Sequence, residues 1–163
     1  MMDLDRIDIA LLAALTRNAR ATHVELAQQV GLSSTACARR LALLEKNGLI
    51  TGYHATLGLK QLGFSTTVIV RITLDSQSEE ALNAFEKAVT RCPSVVQCLL
   101  MGGDDDYLLT VLARDIEDFE HIHKGQLSTL PRVARIHSSF AIREVINRHA
   151  PPTALERLRR AAR

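Results

Sequence analysis

Residues 22–50 constrain this chain more than any other stretch, because they read as a helix, a glycine turn and a second helix. Thr22 can cap the first helix, and Glu25, three residues on, can reach back to it as a capping box. Val24, Leu26, Ala27 and Val30 give that short helix an apolar stripe. Gly31 permits the sharp turn, and Ser33 offers a side-chain oxygen to cap the next helix. Asn47-Gly48 closes that helix with residues that accept left-handed geometry. An α-helix fits the DNA major groove, and a helix-turn-helix is the usual way to present one. The pattern therefore implies a module that reads double-stranded DNA.

At about 100° per residue, Cys37, Leu41 and Leu44 fall on one line of the second helix, which must face the core. Thr35, Arg39, Ala42 and Lys46 lie nearly opposite, on the solvent side. Ser33 and Ser34 sit at the N-terminal turn, where backbone N–H groups meet bases or phosphates. Arg39 is the best placed for a base edge, since a guanidinium can bond a guanine bidentately. Arg40 lies at the flank of the apolar line, suited to a phosphate or to a neighbouring carboxylate. The candidate DNA contacts are thus Ser33, Ser34, Thr35, Arg39, Arg40 and Lys46.

The rest of the chain fits around this head. Its 163 residues, 47% of them apolar, can bury a core in each of two small domains. No apolar run approaches the ~20 residues that span a bilayer. The start, Met-Met-Asp-Leu-Asp-Arg, lacks the layout of a signal peptide, so a cytoplasmic place and no membrane partner are expected. The formal net charge is +2. It hides a mildly basic head, an acidic middle and a basic tail carrying Arg157, Arg159, Arg160 and Arg163. So small a balance does not itself imply nucleic acid, and affinity must come from where charge is placed.

Leu4, Ile7, Leu11, Leu12 and Leu15 mark a helix ahead of the motif, with Asp3, Asp5 and Asp8 at its positive end. Leu49–Thr56 alternates enough to be a short strand or wing, and residues 58–65 read as a linker. The period then changes to two, with Thr66–Leu74 rich in β-branched residues and hence a strand. Residues 78–91 place Leu82, Phe85, Ala88 and Val89 at helical spacing. Val95–Met101 and Tyr107–Ala113 are strands flanking a Gly-Gly-Asp-Asp-Asp turn. Asp115 caps a helix bearing Phe119, Ile122, His123, Leu127 and Leu130, and Val133–Val145 is the last strand. The order βαββαβ is the ferredoxin-like split unit. The expected fold is α+β: a winged helix-turn-helix domain over 1–57, the linker, a ferredoxin-like domain over 66–146, and a tail over 147–163. Both faces of the strands look apolar, so the sheet face left bare by the helices calls for a second copy.

Taken together, Leu4-Asp-Arg-Ile-Asp8, Asn18-Ala-Arg20, Glu25-Leu-Ala27, Val30-Gly-Leu-Ser33, Arg40-Leu-x-x-Leu-Glu45, Gly48-Leu-Ile-x-Gly-Tyr53 and Gly103-Asp-x-Asp-Tyr107 carry a resemblance. Over residues 3–145 the chain resembles the Lrp/AsnC, or feast/famine, regulators. The resemblance implies a transcription factor that dimerises, often into octamers, and binds an amino acid effector in its C-terminal domain. It also implies a pocket between dimers. The matching positions are Leu100, Gly102, Gly103, Asp104 and Asp106 on the turn, and Ser139, Phe140 and Ala141 on the last strand. Chemically, a Gly-Gly turn brings free N–H groups near a carboxylate, and Asp106 can meet an α-ammonium. Asp105 stands where relatives often have a ring, which should favour a polar or cationic effector.

Other classes find little support. No motif for nucleophilic or metal catalysis is present, so an enzyme is not expected. No cofactor and no metal site is suggested. A metal sensor would need the triple Asp to converge with His121 or His123, which lie on different sides of a helix. A redox sensor would use Cys37, or Cys92 with Cys98, yet three cysteines without a Cys-x-x-Cys pair are most simply buried apolar residues. An effector-independent DNA-binding protein of the same fold remains the plainer alternative.

Overall fold

The computed structural model describes residues 4–148, 150–151 and 153–156. They form two compact units, one built on residues up to Thr56 and the other on Leu57–Val145. Asp3 and the four arginines of the tail lie outside the described residues.

Three helices make the first unit: α1 (Arg6–Arg17), α2 (His23–Val30) and α3 (Ser34–Lys46). Each begins on a side-chain cap. Asp5 accepts from the Ile7 and Asp8 N–H groups, and Asp8 returns a bond to the Asp5 N–H. Thr22 and Glu25 form the expected reciprocal box, and Ser33 accepts from the Ala36 N–H. Gly31 takes φ 71°, and the Leu32 N–H behind it bonds the Ala27 carbonyl, which closes α2. At the end of α3 only Gly48 turns left-handed, with φ 70°, while Asn47 stays at φ −88°. The core comprises Leu11, Ala14, Leu26, Ala27, Cys37, Leu41 and Leu44. Val24, expected in the apolar stripe of α2, is instead 55% exposed.

The expected wing does not form a strand. Residues 51–56 are exposed and irregular, because no neighbouring strand is there to exchange backbone hydrogen bonds with them. The segment is pinned instead by the Tyr53 hydroxyl, which donates to Glu45 Oε1 of α3 at 2.8 Å. Burial and that bond push the Tyr53 hydroxyl up to about 12. The expected linker is also more ordered than a linker. Its Leu62 N–H bonds the Gly58 carbonyl, and its Phe64 N–H bonds that of Leu59 across a left-handed Gly63.

The second unit runs β1 (Thr66–Leu74), α4 (Glu79–Val89), β2 (Val95–Leu100), β3 (Tyr107–Ala113), α5 (Ile116–Ile122) and β4 (Val133–Phe140). Its sheet is antiparallel in the order β2-β3-β1-β4. The helix expected after Asp115 is not continuous. It gives way to a π-helical turn, His123–Leu127. In an unbroken α-helix Leu127 would lie about 140° round from Ile122, yet both are buried in the same core. β4 also ends five residues earlier than expected. The Ala141 N–H bonds the Thr67 carbonyl, and beyond it β1 offers almost no further strand to pair with.

One face of the sheet is covered. Val68, Val70 and Ile72 pair with Val111, Leu109 and Tyr107 and pack with Phe85, Val89, Phe119, Ile122 and Leu127. The Phe85 and Tyr107 rings lie 4.4 Å apart, and the Tyr107 hydroxyl donates to Glu86. The register puts Ile69, Leu108, Leu112 and Leu99 on the other face together with Arg71. On that face β4 presents Arg135, His137 and Ser139, so the expectation of two apolar faces fails for this strand. Phe85→Ala removes a fully buried ring from the covered face and should cost about 3–5 kcal/mol in urea unfolding of the intact chain.

Candidate functional site

The outer face of α3 is free to reach a groove. Ser33, Ser34, Thr35, Arg39 and Lys46 are all exposed, whereas Cys37, Leu41 and Leu44 are buried beneath them. Ser33 spends its hydroxyl oxygen on the helix cap, where it accepts from the Ala36 N–H. Leu43 is exposed as well, at 48%, adding an apolar element beside Arg39 that suits a thymine methyl better than a phosphate.

Arg40 differs from its neighbours. Its Nη1 lies 2.7 Å from Asp8 Oδ1 and 2.8 Å from Asp5 Oδ2, both at the start of α1. Of the two partners foreseen for it, a phosphate or a neighbouring carboxylate, the second is present within the chain. The hydrogen bond that the guanidinium donates to Asp8 holds it more firmly protonated than usual. Burial works to raise the Asp5 carboxyl, but the Asp8 N–H and the Arg40 guanidinium outweigh it and hold it below the usual range.

In the second unit Gly102, Gly103 and Asp104 are exposed at the β2–β3 turn, and Gly103 adopts φ 142°, a conformation that favours glycine. Nothing lies within 4 Å of a Cβ added at either glycine, so the turn opens onto free space. Leu100 is exposed at the strand end before it. Asp106 does not belong to that open surface. It is 6% exposed, and its two oxygens accept from the Leu74 N–H at 2.7 Å and the Gln77 amide at 2.8 Å. Asp106, expected to meet an ammonium, clamps the start of β3 to the end of β1 through these two bonds. Sequence reasoning missed Gln77 because twenty-nine positions separate it from Asp106. Asp105 is not a free charge either, since its carboxylate lies 3.8 Å from Arg71 Nε on the open sheet face.

The two halves of the expected pocket do not meet within one chain. The turn closes on the Ile72 carbonyl through the Asp106 N–H, while Ala141 bonds Thr67 at the other end of β1. Five strand residues put those ends about 17 Å apart. Phe140 pairs with Val68 and meets Phe119 edge-on, its ring centroid 5.4 Å away, on the covered face. Ser139 pairs with Ile69 on the open one.

The rival chemistries gain nothing from the geometry. Among the described residues no three His, Cys, Asp or Glu side chains come together as a metal site. Burial raises the thiols of Cys37, Cys92 and Cys98, and Glu86 adds to the effect at Cys98, which disfavours the reactive thiolate.

A three-helix head with an outward helix, followed by a βαββαβ unit with an open turn, defines a DNA-binding regulator carrying its own ligand domain. Comparison with known proteins agrees. Residues 4–51 match the winged helix-turn-helix DNA-binding family, and residues 67–151 match the Lrp/AsnC ligand binding domain. The chain is 39% identical to the Bkd operon transcriptional regulator of Pseudomonas aeruginosa, over 93% of this chain and 99% of that one. It is 36% identical to the leucine-responsive regulatory protein of Escherichia coli, over 88% and 87%. A Neisseria meningitidis transcriptional regulator solved in complex with L-Met superposes with a TM-score of 0.85 at 32% identity, covering 91% of this chain and 96% of that one. The chain belongs to the Lrp/AsnC family: it is a DNA-binding transcriptional regulator with a ligand-binding domain, and not an enzyme.

The clamp at Asp106 is testable by stability. Asp106→Ala leaves the Leu74 N–H without its acceptor, which should cost about 1–3 kcal/mol in thermal unfolding. A substitution of the same kind at exposed Asp104 should leave the melting temperature nearly unchanged.

Proposed function

We propose that this regulator reads its operator through Ser33, Ser34, Thr35, Arg39 and Lys46, and that its second domain senses an amino acid. The observation that carries the first part is the exposed face of α3, backed by a buried Cys37–Leu41–Leu44 line. Arg39 supplies base readout, and Ser34 with the first turn of the helix supplies phosphate contact. For the second part, Leu100, Gly102, Gly103 and Asp104 of one copy face Ser139, Phe140 and Ala141 of another. Their separation at opposite ends of β1 supports a pocket completed only on assembly. The bare apolar face of β1–β3 gives that assembly a place to form, first a dimer and then an even array up to an octamer. Such a protein works in the cytoplasm, beside its DNA. No helix among the described residues is long and apolar enough to cross a membrane.

The effector's side chain meets Asp105, whose charge Arg71 partly offsets. The preference for a cationic amino acid is therefore weaker than Asp105 alone would give. Arg39→Ala should remove about 1–3 kcal/mol of discrimination between a selected operator duplex and a scrambled one, with folding and assembly retained. An unchanged ratio would sink the assignment of Arg39.

Assembly and sensing are tested together by light scattering and calorimetry, with lysine, arginine, leucine and methionine titrated separately. The free protein should be at least a dimer at micromolar concentration, and one amino acid should bind and shift its mass or DNA affinity. A monomer of 18.0 kDa that binds none of them contradicts the reading.

A further inference from the structure

We infer that Asp5, Asp8 and Arg40 form a positioning device that sets the rotation of the recognition helix, so that Arg40 orients α3 rather than touching DNA. The inference rests on α3 being the DNA-reading helix. A single guanidinium nitrogen, Arg40 Nη1, is held by two carboxylates at 2.7 and 2.8 Å. Those carboxylates are already fixed, because Asp5 caps α1 and Asp8 closes the capping box on the Asp5 N–H. Asp8 is buried, with only 8% of the residue exposed. The pair therefore ties α3 to the capped first turn of α1.

The consequence for reading follows from helix geometry. Arg39 and Arg40 are adjacent, so they point about 100° apart round α3. Fixing Arg40 against α1 fixes the direction in which Arg39 leaves the surface. A binding constellation has to be held within about 0.5 Å and 10–20° to work, and packing of Cys37, Leu41 and Leu44 alone permits small rolls of a helix on its neighbours. A two-carboxylate grip on the flank removes that freedom. Removing the guanidinium leaves the buried Asp8 without its cation, and removing Asp8 leaves Arg40 with Asp5 alone; in both cases α3 is freer to roll.

The test uses the full chain, a duplex that the unmutated protein selects from random sequence, and a scrambled duplex. Affinity is measured over a range of salt for Arg40→Gln, Asp8→Asn, both together, and Asp5→Asn, which keeps a capping oxygen. A positioning role predicts that Arg40→Gln and Asp8→Asn each lower the selected-to-scrambled ratio by roughly tenfold, within the range of one base contact. The double variant should be no worse than either single one, and the salt slope should not change. Asp5→Asn should show a smaller loss in the same direction. The opposite pattern overturns the inference: Arg40→Gln lowers the salt slope by ~1, and Asp8→Asn and Asp5→Asn leave binding equal or tighter. Arg40 would then be a phosphate ligand. Should the variants at Arg40 and Asp8 unfold, Asp5→Asn decides the question in the same two directions. Arg39→Ala on the same duplexes reports separately on whether Arg39 reads a base.

Discussion

The double pairing of β1 governs the second unit. This strand exchanges backbone bonds with β3 on one side and β4 on the other, so its register fixes which residues of all three strands share a face. A one-residue slip would move Val68, Val70 and Ile72 off the helices and expose them. The same register places the Gly-Gly turn at one end of the strand and Ala141 at the other. Asp106 locks the turn end by accepting from the Leu74 N–H and the Gln77 amide. The turn and the end of β4 are thus held at opposite ends of one strand, the separation on which the proposed shared pocket rests. The open face that would mediate assembly is graded, apolar along Leu99, Leu108 and Ile69 and polar along β4.

In the first unit the governing interaction is the capping of short helices. α2 has eight residues, too few to be stable by propensity in water. It persists because both ends are closed locally and because Leu26 and Ala27 are buried against α1 and α3. Arg40 then adds a polar constraint that hydrophobic packing lacks. Burial of apolar surface is non-directional, whereas an ion pair to two carboxylates specifies an angle. A DNA-reading helix needs that specification, since a base edge is recognised by direction as much as by distance.

Much of this was legible from residues. Thr22 with Glu25, Gly31 with Ser33, and the Cys37–Leu41–Leu44 line state their helices outright, because caps and amphipathic periods act within a few positions. Thr66–Leu74 and Tyr107–Ala113 matched their strands residue for residue, the first because β-branched alternation leaves no helical reading, the second because a short apolar run returns from the Gly-Gly turn. Errors fell where a distant partner decides. The 51–56 segment alternates like a strand but has nothing to pair with. Residues 141–145 run past the end of β1. The five-residue step from Ile122 to Leu127 needed a π-helical turn, which periodicity at 3.6 cannot announce.

The site divides along the same line. The sequence by itself determined the DNA-reading module, the βαββαβ order and the exposed face of α3, because each rests on local caps, turns or alternation. Only the tertiary structure decided the fates of individual charges. Arg40 turned to Asp5 and Asp8, Asp106 to Leu74 and Gln77, and Asp105 to Arg71. A charge takes its role from what lies within a few ångströms, and those partners are some thirty positions away in the chain. It also decided that the Gly-Gly turn and Ala141 lie at opposite ends of one strand, since register depends on pairing and spacing along the sequence does not encode it.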